Sequence, residues 1–172
     1  MLYRPYQPGD FDQICAIEKA CFQPPLRYTR RYLRELLAAP GAIAWVAALE
    51  SAEAIPALAV GVRGRRLVGF VLAGVMWAHG KKIVYLETLE VVEGARRRGA
   101  GAELLRRVGD AARAAEIGAL WLHVAANNAA ALGLYGAHGF EVQGREENYY
   151  GPGIHGLVCV QRLAPSGQTD VL

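Results

Sequence analysis

The run Val91-Val92-Glu93-Gly94-Ala95-Arg96-Arg97-Arg98-Gly99-Ala100-Gly101-Ala102 holds the residue types best suited to seating an anion. Its apolar start reads as the end of a strand, and its small residues lead straight into a helix. The first turn of a helix offers unpaired N–H groups and about half a positive charge, which together bind phosphate oxygens. Glycines at 99 and 101 let a backbone come close to a ligand, and Arg96, Arg97 and Arg98 add positive field. A tight strand–helix turn with solvated arginines is the plain alternative, and this segment alone does not choose between the two. The dinucleotide fingerprint is excluded, because its third glycine would fall on Leu104. Further along, Asn128 stands where a helix would be capped, and Tyr135 lies about two turns on, along the same face. His123 interrupts the apolar run Ala119 to Val124. An imidazole is a base near neutrality, although a histidine on a strand is more often packed core.

Several other chemistries are absent from the pattern. Lys19, Lys81 and Lys82 are the only lysines, and none follows Gly and precedes Ser or Thr as a P-loop requires. Ser51 and Ser166 lie outside any G-x-S-x-G elbow. His79, His123, His138 and His155 show no metal-ligand spacing, so no metal is expected. Cys15, Cys21 and Cys159 are odd in number and form no C-x-x-C, which fits reduced thiols in a cytoplasm. Met1 to Pro5 carries no signal-peptide apolar region, and Pro40-Gly41 breaks the uncharged stretch Leu36 to Leu49. A soluble, cytoplasmic protein without a membrane partner is the expectation.

The elements that must position these residues can be placed from periodicity. A first helix is expected from a cap at or near Asp10 to about Phe22, with Ile14, Ile17, Ala20 and Cys21 inward. Pro24-Pro25 stops it, and Thr29 caps a second helix whose stripe is Tyr32, Leu33, Leu36 and Leu37. Strand signals follow at Ile43 to Val46, Leu58 to Val62 and Leu67 to Val75, with Arg63-Gly64-Arg65 as a turn between the last two. Ile83 to Val92 reads as a strand, Gly101 to Ala115 as an amphipathic helix, Ala119 to Val124 as a buried strand and Asn128 to His138 as a helix. Gly139-Phe140 begins a closing β segment. One α/β domain results. The chain has 172 residues, 53% hydrophobic and 20% charged with a formal net charge of +3, which suits one packed domain and only weakly favours anionic ligands.

R-x-x-G-x-G at Arg96, Gly99 and Gly101, followed by N-x-A-A-x-x-L-Y-x-x-x-G-F from Asn128 to Phe140, resembles the GNAT superfamily of acetyl-CoA-dependent N-acetyltransferases. The resemblance covers Leu2 to Leu163, one domain over 1–163, and leaves out a polar tail over 164–172. It implies an α/β fold with a mixed central sheet flanked by helices, and acetyl-CoA as cosubstrate. Within the superfamily the chain is similar to protein N-terminal acetyltransferases, through Asn148-Tyr149-Tyr150 and Phe22-Gln23-Pro24-Pro25. That likeness implies Tyr85 and His123 as the base acting through water and Tyr135 as the acid that protonates the leaving thiolate. The bacterial ribosomal enzymes of this group carry Glu where His123 stands. Cofactor contacts would come from Arg96 to Ala102 at the pyrophosphate, Asn128 and Tyr135 along the arm, and backbone at Leu89 to Val91, where such strands carry a bulge. Pro25, Leu26, Tyr28, Tyr149 and Tyr150 would form the acceptor groove. Glu87, of the same strand parity as Tyr85, is a reserve base or an ammonium partner.

The chemistry constrains the acceptor. Transfer from a thioester needs a neutral amine, a route for its surplus proton and stabilisation of the oxyanion. About a tenth of α-amines (pKa roughly 7.7–8.0) are neutral at pH 7, against on the order of one lysine in a few thousand. An imidazole base therefore fits an α-amine better, which points to a protein or peptide N-terminus, with ribosomal proteins among the candidates. A small-molecule amine such as a polyamine or aminoglycoside is the alternative acceptor, for which Glu87 and Glu90 are the suitably placed carboxylates. A non-catalytic module binding acyl-CoA, or RNA through Arg96-Arg97-Arg98, is the remaining alternative. Against nucleic acid, no basic stripe interleaved with aromatics is present.

Overall fold

The computed structural model describes residues 1–49 and 66–164. The expected strand Leu58 to Val62, the turn Arg63-Gly64-Arg65 and the tail beyond Ala164 lie outside the described residues, apart from Ala164 itself. In chain order the elements are β1 (Leu2–Pro5), α1 (Phe11–Cys21), α2 (Arg30–Ala38), β2 (Ala42–Ala48), β3 (Leu67–Ala78) and β4 (Lys81–Val91). They continue with α3 (Ala100–Ala114), β5 (Ala119–Ala125), α4 (Ala129–Ala137), β6 (Glu141–Glu146) and β7 (Gly156–Arg162). The strands form one mixed sheet in the order β1-β2-β3-β4-β5-β7-β6, parallel at β4–β5 and antiparallel elsewhere.

Register assigns the two faces. Trp45, Val71 and Leu89 share one face, on which the Arg107 guanidinium of α3 lies 5.0 Å from the Trp45 ring. Ala44, Leu72 and Tyr85 share the other face, beside Leu36 of α2. The core between sheet and helices is built on Phe70, Ile14, Ile17, Leu33, Leu104, Leu120 and Leu122, all fully buried. Thr29 caps α2 as expected, its Oγ1 accepting from Tyr32 N at 3.2 Å. Tyr32 is not in the core, however; it is exposed and packs edge-on against Tyr28 at 4.9 Å. Asp10 stands at the N-cap position of α1 as expected, but its side chain makes no capping hydrogen bond to that helix. It ends the preceding short 3-10 turn, accepting from Gln7 N at 2.8 Å and from both terminal nitrogens of Arg4 at 2.7 Å.

Two features of β4 matter for the site. Leu86 pairs with Ala73 and Thr88 with Leu72, which leaves Glu87 as an extra, bulged residue. The bulge therefore precedes the Leu89–Val91 stretch where it was expected; from Thr88 to Val91 the pairing with β3 is regular. On its other edge β4 pairs with β5 only through Val84–Leu120, Tyr85–Trp121 and Leu86–Leu122. Both strands run on, to Val91 and Ala125, so they part at the bulge. A gap between parallel strands opens there, with α3 starting beyond the end of β4 and α4 beyond the end of β5. Such crevices at strand carboxyl ends are where open α/β sheets bind ligands.

Candidate active site

Tyr85 and His123 face each other across the mouth of this gap. Tyr85 pairs with Trp121, whose parity His123 shares, so both side chains stand on the α2 face. The Tyr85 hydroxyl lies 2.7 Å from His123 Nδ1 and 3.4 Å from the Tyr149 hydroxyl. Burial, then the Tyr149 hydroxyl and the nearby Glu87, push the Tyr85 pKa far above that of an ordinary phenol. Tyr85 is thus neutral at physiological pH and shares a hydrogen bond with His123 Nδ1. The Tyr149 ring stacks on the imidazole at 4.1 Å and 5°. His123 Nε2 is buried, 3.3 Å from Glu146 Oε1, close enough for charge attraction but outside hydrogen-bonding geometry. Sequence spacing contained no sign of Glu146, which reaches the imidazole from β6.

Tyr149 and Tyr150 belong to the β6–β7 connection. Asn148 (φ 58°) accepts from Gly153 N at 2.7 Å through its side chain, and its own N–H donates to His155 Nδ1 at 3.2 Å. Gly156 was not anticipated: a Cβ there would stand 2.9 Å from Tyr149 Cβ, so its absence lets Tyr149 lie against His123. A side chain at Gly151 would begin 3.5 Å from Pro25 Cγ, so this connection meets the one between α1 and α2. Tyr28 donates its hydroxyl to Glu87 O at 3.3 Å, over the bulge. Tyr28, Glu87, Tyr149 and Tyr150 thereby lie near one another, with exposed Pro25 adjoining them through Gly151; Leu26, in the same connection as Pro25, is half-buried. Glu87 is half-buried, and desolvation raises its pKa. Glu90 is withdrawn from this wall; it is 2% exposed, on the α1 side of the strand, and cannot receive a cationic acceptor.

On the opposite face of β5, Cys159 pairs with Leu122, and Tyr135 of α4 lies near that cysteine. Tyr135 is buried, and burial raises its pKa strongly. Tyr150 connects the two sides, edge-on to Tyr149 at 4.7 Å and within electrostatic range of Tyr135. Asn128 caps α4, its Oδ1 accepting from Ala131 N at 3.1 Å. Asn128→Ala is expected to cost about 1 kcal/mol, read from urea unfolding.

The segment from Arg96 to Ala102 forms a sharp turn into α3. Arg97 (φ 61°) and Gly99 (φ 81°) take left-handed conformations, turning the chain sharply into α3, and a Cβ at Gly99 would meet nothing within 4 Å. The first helical bond runs from Glu103 N to Gly99 O at 3.0 Å, which leaves the N–H groups of Ala100, Gly101 and Ala102 at the open first turn. Gly101 has a different reason than ligand approach: a Cβ there would lie 3.2 Å from Leu134 and 3.5 Å from Leu89, so it permits α3 to pack on α4 and β4. Arg96, Arg97 and Arg98 are exposed, and Arg96 Nε donates to Val91 O at 2.8 Å, occupying a carbonyl expected to serve a ligand. Leu89 is half-buried on the α3 face.

The model of the acetyltransferase (GNAT) family matches residues 11–140. The chain belongs to that family. Acetyl-CoA is the cosubstrate of GNAT enzymes, and the gap between β4 and β5, with the open first turn of α3 beside it, fits such a group. A curated relative, streptothricin acetyltransferase of Streptomyces lavendulae, is 36% identical over 101 residues, 59% of this chain; the chain spans about half that relative's length (52%). Among solved structures, NAA60 of Arabidopsis thaliana with a bisubstrate analogue superimposes with a TM-score of 0.81 at 24% identity, covering 95% of this chain and 99% of that one. The ribosomal-protein-S18-alanine N-acetyltransferase of Escherichia coli gives 0.75 at 18% identity, covering 99% of each chain. At these identities both show a shared GNAT fold. Among the described residues no helix is long and apolar enough to cross a membrane.

Proposed function

We propose that this GNAT protein transfers the acetyl group of acetyl-CoA to a primary amine, the α-amino group of a protein or peptide N-terminus, by direct attack within a ternary complex. The observation that carries this is the 2.7 Å contact between Tyr85 and His123 at the point where β4 and β5 part. Acetyl-CoA, when bound, supplies a thioester carbonyl and a thiolate leaving group. Its pyrophosphate would rest on the N–H groups of Ala100 to Ala102, in the field of Arg96, Arg97 and Arg98, with the pantetheine arm beside Leu89, Val91 and Asn128.

The chain's own groups account for the protons. As the amine nitrogen bonds to the carbonyl carbon and the C–S bond breaks, the amine's surplus proton passes, directly or through water, to the Tyr85 oxygen. The Tyr85 proton moves at the same time to His123 Nδ1, and Glu146, 3.3 Å from Nε2, offsets the imidazolium charge. On the far side of the gap Tyr135, kept protonated by burial, gives its proton to the departing sulfur. Donor and acceptor thus enter from opposite faces of the sheet, with Tyr28, Pro25, Leu26, Tyr149 and Tyr150 around the acceptor and Glu87 near its ammonium.

The test is release of free thiol from acetyl-CoA across a peptide library varied in its first two residues, run beside a panel of polyamines and aminoglycosides. Peptides bearing free N-termini are expected to exceed the small amines in kcat/KM by at least about tenfold, the scale of a discrimination of roughly 1.4 kcal/mol. A small-molecule acceptor is the second reading, favoured by the likeness to streptothricin acetyltransferase and by the half-buried Glu87 carboxylate beside the cleft. Higher kcat/KM on the small amines would establish it instead.

A further inference from the structure

Helix α1 carries a glutamate where its apolar stripe should continue. Ile14, Ile17, Glu18 and Cys21 lie at helical spacing, and Glu18 is as buried as its neighbours, 2% exposed, while Ala20 faces solvent. It lies beside Glu90 of β4, also 2% exposed, near enough for the two carboxyl groups to act on one another directly. The outer oxygens are satisfied: Glu18 Oε1 accepts from Tyr28 N at 2.7 Å, and Glu90 Oε1 from Thr88 Oγ1 at 2.9 Å. The inner oxygens, Oε2 of each, are buried with no geometrically formed hydrogen bond among the described residues. Two ionised carboxylates cannot face one another in such a place, and a single proton between them satisfies both inner oxygens. Burial, then the contact with Glu18, raises the Glu90 pKa well above the ordinary carboxylate range.

The side chains in contact with Glu90 besides Glu18 are neutral donors, with no cation among them. From α1 comes the Cys21 thiol, which touches Glu90 and also donates to Val91 O at 3.7 Å; from β4 comes the Thr88 hydroxyl; from the α1–α2 connection comes the Tyr28 amide. Arg96, from the turn after β4, contacts Cys21 and spends its Nε on Val91 O. The contacts form a ring. Glu87 O accepts from the Tyr28 hydroxyl, Tyr28 N donates to Glu18, Glu18 meets Glu90, and Glu90 lies three residues from Glu87 on the same strand.

We propose that Glu18 and Glu90 are positioning residues that share one proton, and that this closed pair holds the α1–α2 connection, with Tyr28, against the bulge at the acceptor cleft. The pair touches neither substrate nor cofactor; it sets where one wall of the cleft stands. Its kinetic consequence rests on the acetyl-transfer reading above, whereas its effect on folding does not.

The experiment compares wild type with Glu90→Gln, Glu18→Gln and Glu18→Leu. Because the folded pair holds a proton that unfolded carboxyls release, wild type loses stability as pH rises above the unfolded carboxylate value and through the raised folded one. Glu90→Gln donates permanently through its amide and lacks this dependence. The ratio of unfolding constants, wild type over Glu90→Gln, is expected to rise by up to about tenfold per pH unit between pH 6 and 8. Parallel profiles would overturn the shared proton. With a peptide acceptor at pH 7, Glu18→Leu, which leaves Tyr28 N without its acceptor, should raise acceptor KM about fivefold or more, with kcat and acetyl-CoA KM within about twofold. Glu18→Gln, whose amide oxygen still accepts from Tyr28 N, should restore it; an unchanged acceptor KM in Glu18→Leu would overturn the positioning role. Should Glu18→Leu not fold, acceptor KM of wild type relative to Glu90→Gln decides the same point, expected to rise with pH and refuted by a constant ratio. Absence of turnover in every protein would refute the acetyl-transfer reading and leave the unfolding comparison to judge the shared proton.

Discussion

His123→Ala is expected to lower kcat for acetyl transfer by about two to three orders of magnitude, the usual worth of a positioned general base, with acetyl-CoA affinity within about twofold of wild type. Tyr85 cannot serve alone, because burial holds its phenol neutral and the proton it receives from the amine must be matched by one it gives away. His123 Nδ1, at 2.7 Å, is the group placed to take it. Tyr85→Phe should show a loss of similar size, and the double variant little more than either single one, since the two act as one relay. The sign of the pH dependence follows. In wild type and variant alike the rate falls as pH drops, because protonation removes the neutral amine that attacks. The raised Tyr85 pKa means that phenol ionisation adds no alkaline limb over the ordinary assay range. Full activity in His123→Ala, measured by thiol release under saturating acetyl-CoA, would remove the relay.

Tyr135→Phe should lower kcat by about a hundredfold, within the range for a general acid. Its burial raises the phenol pKa, which suits a group that must hold a proton until the thiolate forms and rules it out as a base. The substitution keeps the ring that packs against Phe140 at 5.5 Å, so Tm and acetyl-CoA affinity should stay close to wild type. A fall in kcat with unchanged stability separates the hydroxyl's chemistry from the ring's packing. Unchanged kcat would mean that solvent protonates the sulfur.

The sequence was most legible where a local rule and a distant partner agree. Thr29 caps α2 because an exposed helix start needs only its own side chain. Leu104, Leu105, Val108 and Ala112 point inward because a regular amphipathic helix on a sheet has one way to lie. Legibility failed where one strand had to serve two neighbours. Strand parity was the basis for grouping Glu87 with Tyr85, but Glu87 is itself the bulged residue and shifts the register, so parity cannot be counted through from Tyr85 to Glu90. Glu18 was readable in principle: it occupies the stripe position after Ile14 and Ile17, and a charged residue there requires a partner. Nothing local named that partner, because Glu90 lies in another element.

The four helices, the strands β2 to β5 and the cap at Asn128 were legible in the sequence alone, since each depends on periodicity or turn chemistry within a few residues, whereas the short strand β1 was not. Tertiary structure decided the rest: where β4 and β5 separate, that Tyr149 stacks on His123 in the space left by Gly156, that Glu146 stands behind the imidazole, and that Glu18 and Glu90 meet in the dark between helix and sheet. These are contacts between segments far apart in the chain. Their geometry depends on the register and twist of a sheet assembled from seven strands, which no single segment encodes.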